Sequence, residues 1–153
     1  MKRILSLILI LGAAQLFGQE APKSLKPEKR SAVTVGILKG GGSLVGADFE
    51  FLLTDRMGLQ VGAGLVGFGA GLNFHFHPSI RSSFVSFQYW NQGIGDSFAQ
   101  SAFGPGLVYR GRKGLSAQIG FAVPLREGPV LPREFAQRHL MLTYALGIYL
   151  PLF

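Results

Sequence analysis

The chain has 153 residues, of which 48% are hydrophobic and only 15% charged, with 22 glycines, 13 phenylalanines and no cysteine. So little charge with so much apolar character excludes a disordered polar tail, and the missing cysteine excludes a disulfide scaffold or a thiolate metal site. The formal net charge is +7, but its clusters fall in segments that the chain order assigns to export and to a leader, so it does not point to nucleic acid.

Lys2 and Arg3 precede an apolar run from Ile4 to Phe17, which Gly18-Gln19-Glu20 ends. A spanning helix needs about 20 apolar residues. The run is too short, and residues 1–19 are expected to be a cleaved secretory signal. Residues 20–31 carry two prolines and the cations Lys23, Lys26, Lys29 and Arg30, and are expected to form a flexible basic leader.

From residue 32 to residue 153 apolar side chains recur every second position, the period of a strand. Eight strands are predicted, over 32–38, 44–53, 57–66, 69–77, 82–91, 99–110, 115–123 and 139–150. The Gly40-Gly41-Gly42 triplet turns the first hairpin and Thr54-Asp55-Arg56 the second. Gly67-Phe68 is expected to turn the third, with glycine supplying the positive φ of a tight hairpin. Pro105 predicts a bulge in strand six, since proline cannot donate to an interior ladder.

One face of these strands is apolar throughout, for example Val45, Ala47, Phe49, Phe51 and Leu53 in strand two. The other is glycine-rich and polar, with Asp48, Glu50 and Arg110 as its charges. A face of Gly, Gln, Ser and Asn with so few charges is a poor exterior for water. It suits a narrow lumen. The expected fold is therefore all-β: a closed eight-stranded antiparallel up-and-down transmembrane β-barrel, apolar side outward. The short connections 54–56, 78–81 and 111–114 would be periplasmic. The segments 39–43, 67–68, 92–98 and 124–138 would be external.

Asp48, Glu50, Gln60, Asn73, His75, Gln88, Arg110 and Gln118 are expected to form the lumen polar network. Counting from the turns places Glu50 opposite Gln60 and Gln60 opposite His75, with Arg110 able to reach Glu50 or Asp48. The bland role for this set is a structural plug, and the sharper one a gated path for a small solute or proton. His75 and His77 could make half of a metal site, but no third ligand is evident; no metal and no cofactor is assigned. Trp90, Arg126, Arg133, Phe135 and Arg138 are candidates for external contact, the arginines suiting the phosphates of lipopolysaccharide.

The signal run, the strand count, the face pattern and the terminal Phe153 together resemble the small eight-stranded outer-membrane barrel proteins, the class that includes OmpA-like and OmpX-like barrels. Tyr149 and Phe153 share a parity on the last strand and are similar to the assembly signal read by the outer-membrane insertion machinery. The resemblance implies a monomer in the outer membrane of a Gram-negative-type bacterium, in contact with lipid and lipopolysaccharide. It implies a structural or interaction role without turnover. The alternatives are a narrow small-solute channel and a lipid-modifying enzyme, the latter because His77-Pro78-Ser79 is weakly similar to the His and Ser of outer-membrane lipid A deacylases.

Overall fold

The structure is a computed structural model, and it describes residues 29–94, 97–129, 131 and 139–153. The signal and most of the leader lie outside these residues. The strands are β1 (Ser31–Lys39), β2 (Ser43–Leu52), β3 (Met57–Gly64), β4 (Gly67–His75), β5 (Phe84–Ile94), β6 (Ser97–Arg110), β7 (Leu115–Glu127) and β8 (Met141–Pro151). Each pairs antiparallel with its neighbours in chain order, and β8 returns to β1 to close the barrel.

Closure depends on small residues. Gly36 of β1 pairs with Gly46 on one side and Gly147 on the other. A Cβ on Gly36 would strike Leu146 O and Gly147 Cα, both backbone atoms. The three strands approach closely because none carries a side chain at this level.

The faces are as expected. Val45, Phe49, Phe51, Leu59, Val61, Leu72, Phe103, Leu107, Ile119 and Ile148 are among a large set of exposed apolar side chains. The interior is mostly polar, and among the described residues the buried apolar ones are few: Ala32, Leu52, Ile80, Phe84, Ala102, Val108, Ala122, Ala145 and Tyr149. Among the described residues, the acidic, basic and histidine side chains within strands are Lys39, Asp48, Glu50, His75 and Arg110, all buried, plus Arg126 and Glu127 at the far end of β7.

Three local expectations are corrected. The third hairpin turns at Leu65-Val66, with Gly64 paired to Gly67 inside the ladder, so Gly67-Phe68 is not the turn and Gly67 has no positive φ. Gln60 consequently faces Gly71 rather than His75. The observed register sets Gly62 against Gly69 and Gly64 against Gly67 and leaves the apolar Leu65 and Val66 exposed in the turn. Second, β6 passes Pro105 without a bulge. Phe87 pairs with Pro105 on one side, and on the other the ladder runs from Phe103–Val123 to Gly106–Gly120 in unchanged register. Proline's missing donor is accommodated as a skipped link beside Gly104, where a Cβ would collide with Phe121 O. The register shifts lie instead at Gln92/Gly93 and Ser101/Ala102. Third, Lys39 ends β1 and is buried, rather than opening an external loop.

Candidate functional site

The lumen holds two polar clusters in successive layers. The first lies at the end that carries the connections 53–56, 76–83 and 111–114, and it centres on Glu50. Asn73 Nδ2 donates to Glu50 Oε1, and His75 Nε2 lies 3.0 Å from the same oxygen. Arg110 NH1 lies 2.8 Å from Glu50 Oε2, with both side chains 2% exposed. Asn73 also donates to Gln60 Oε1 at 2.9 Å, and Ser86 Oγ donates to Asn73 Oδ1 at 2.5 Å. A buried charge pair persists only where geometry and extra hydrogen bonds offset the lost hydration. Here the carboxylate collects a cation, an amide and an imidazole.

Arg110 is held from several directions. Its guanidinium lies 4.8 Å from the ring centroids of both Phe84 and Tyr149, so two aromatic faces meet the cation. NH1 also donates to Ile80 O. Tyr149 in turn donates its hydroxyl to Gly111 O at 3.0 Å. The β4–β5 connection is therefore more than a turn. It folds Ile80 under the barrel, 1% exposed, against Ala32 and Leu52, and this shuts the lumen at that end.

The second cluster lies one layer further toward the loops between β1 and β2 and between β3 and β4. Lys39 Nζ donates to Gln118 Oε1 at 2.9 Å and lies 3.6 Å from Asp48 Oδ2. Gln118 Nε2 donates to Gln88 Oε1 at 3.0 Å. Beyond this cluster a cavity of about 250 Å³ reaches toward the loops, with Trp90 and Thr143 in its lining.

All eight residues of the expected lumen network are thus interior, divided between the two layers. Glu50, Gln60, Asn73, His75 and Arg110 meet in one; Asp48, Gln88 and Gln118 lie in the other. Trp90 is half-buried in the cavity wall, and Arg126 is exposed near the end of β7. Arg133, Phe135 and Arg138 lie outside the described residues. Tyr149 points into the lumen, whereas the Phe153 side chain is 70% exposed and its backbone oxygen accepts from Ser31 N at 2.9 Å. His75 ends β4 facing inward, while His77 lies in the following connection with its backbone N–H bonded to Ser82 Oγ at 2.9 Å, so the two imidazoles do not share a strand face. Among the described residues no group of three His, Cys, Asp or Glu could hold a metal ion.

Sequence reasoning missed Lys39, Ile80 and Phe84. The triple glycine after Lys39 was the one available signal, because a glycine run with positive φ can fold a strand end across the barrel mouth. Gly40, Gly41 and Gly42 do have φ of 61°, 82° and 75°.

Comparison of the chain with protein-family models, with curated proteins and with solved structures found no match.

Proposed function

We propose that the chain is a small outer-membrane β-barrel protein with a structural or interaction role, blind at one end and presenting its loop end to external partners. The observation that carries this reading is the inverted distribution of side chains along the described strands: apolar outward and charged inward, apart from Arg126 and Glu127 at the loop end of β7. Monomers in water rarely expose apolar patches beyond a few hundred Å², whereas this barrel would wet nearly every outward strand residue. The strands run from 8 to 14 residues, and a span of nine or ten residues at ~3.3 Å per residue, tilted by ~40°, rises about 23–25 Å, the height of an outer-membrane apolar band. Orientation follows from the same class of barrel. The short turns and the barrel ends of β1 and β8, near Ser31 and Pro151, face the periplasm, while the cavity mouth and Arg126 face outward, where lipopolysaccharide is the available partner. Phe153 at the strand end is the residue offered to the insertion machinery.

The plug supports a closed barrel over a channel, and the reading assigns no turnover. The test is fractionation with gel migration. Folded protein should enter the detergent phase and migrate faster unboiled than boiled. It should give no conductance steps in a planar bilayer. Recovery in the aqueous phase with migration unchanged by boiling would overturn the membrane reading, and steady ion conductance would overturn the closed lumen.

A further inference from the structure

The second cluster has features that a structural plug does not require. Leu38 has φ of 57°, the left-handed region that residues with a Cβ seldom occupy. Strict alternation after the outward Ile37 would send Lys39 outward as well. The left-handed step at Leu38 instead turns Lys39 into the lumen, where it is 4% exposed. Backbone strain of this kind tends to persist where it positions a working group. The ammonium then rests against Asp48 and Gln118, and Asp48 Oδ1 also accepts from Gly40 N at 3.1 Å.

Two further polar atoms beside the same cavity are unused. Among the described residues, Gln88 Nε2 and Thr143 Oγ1 are buried with no hydrogen-bond partner, although both residues line the cavity. Gln88 as a whole is 4% exposed. Buried donors are normally paired; Gln88 Nε2 and Thr143 Oγ1 are turned away from the open volume, and a ligand in the cavity pairs with them once these side chains rotate toward it. Trp90, two residues beyond Gln88 on the same face of β5, also lines the cavity.

We propose that this cavity is a binding site for a small, neutral, hydroxyl-rich ligand of monosaccharide size. Lys39 and Asp48 cancel one another's charge, so a net anion or cation would enter without an uncompensated partner. A hydroxyl both donates and accepts. It can accept a hydrogen bond from Gln88 Nε2 or Lys39 Nζ and donate one to Asp48 or Thr143 Oγ1. The aromatic face of Trp90 suits the C–H face of a sugar ring. A volume of about 250 Å³ equals roughly eight waters at ~30 Å³ each, which fits one ring. The Glu50 layer closes the far side, so the ligand is held and not passed through. The site lies inside the barrel and does not rest on the membrane reading.

Trp90 is the chain's one tryptophan, so its emission reports on the cavity directly. The full-length chain, folded in a zwitterionic detergent without a sugar headgroup, would be titrated with glucose, galactose and myo-inositol. Glucose 6-phosphate and glucosamine serve as charged counterparts, with calorimetry run in parallel. At least one neutral compound should give a saturable response with a midpoint of about 1 mM, typical of a ligand this small. Thr143→Val, which removes only a hydroxyl, should weaken it about tenfold, and Lys39→Met should abolish it. Circular dichroism and heat-shifted migration verify folding, and Thr143→Val decides the matter if Lys39→Met does not fold. The proposal is overturned by absence of a saturable response to all three neutral compounds in both measurements. Tighter binding of a charged counterpart, or an unchanged midpoint in folded Thr143→Val, would overturn it equally.

Discussion

Glu50→Gln tests the plug most directly. The substitution keeps the shape of the side chain and removes its charge. It leaves Arg110 buried opposite a neutral amide in place of a carboxylate 2.8 Å away. Removing one partner of a buried ion pair costs about 3–5 kcal/mol. The lower end applies here, because Arg110 keeps Ile80 O and the two aromatic faces at 4.8 Å. A loss of about 3 kcal/mol lowers the folded-to-unfolded ratio by roughly two orders of magnitude. With a urea slope of about 1–3 kcal/mol per molar, the unfolding midpoint in micelles or vesicles should fall by about 1–3 M at constant slope. The paired variant Glu50→Leu with Arg110→Met should recover most of that loss, since replacing both charges by apolar groups is often neutral or better. A Glu50→Gln shift worth less than about 1 kcal/mol would refute the reasoning. So would a double variant as unstable as the sum of its single substitutions, because the plug would then not act as a coupled pair.

Val61 is 49% exposed and pairs with Phe49 and Ala70 near mid-strand. Val61→Arg should cost about 2–4 kcal/mol in lipid vesicles, whereas a water-facing position would change by about 0.5 kcal/mol at most; vesicle unfolding distinguishes the two. Gly36→Ala drives a Cβ into the backbone of β8, and the refolded yield of the heat-shifted form should drop sharply, while Gly106→Ala, whose nearest neighbours lie at 3.4 Å, should fold nearly as well as the parent. Ile80→Ala empties the cluster with Ala32 and Leu52 and should destabilise by about 2–4 kcal/mol in the same urea assay.

Which residues face inward was legible from period-two alternation alone, because parity along a strand ties each side chain to one face. Glu50 opposite Gln60 was legible too, since the turn after β2 is short and its ends pair as counted. Gln60 opposite His75 was not. Moving the third turn two residues back leaves every side chain on its own face while exchanging all cross-strand partners. A one-residue slip in register would have shown in the pattern; an even slip, here the four residues from His75 to Gly71 opposite Gln60, leaves no trace there. Lys39 escaped for a different reason. One left-handed residue, Leu38, breaks the alternation at the strand end, and nothing in a leucine's identity announces it.

The sequence by itself determined a closed sheet of eight antiparallel strands, the apolar and polar faces, and the set of polar residues that fill the interior. These follow from local periodicity and short connections. Only the tertiary structure decided that Ile80 folds under the barrel, that Arg110 lies against Phe84 and Tyr149, and that Lys39 meets Asp48 and Gln118 beneath an open cavity. Those meetings depend on register and on the stagger of strands around a closed barrel, which join residues far apart in the chain and leave no periodic signal in any one strand.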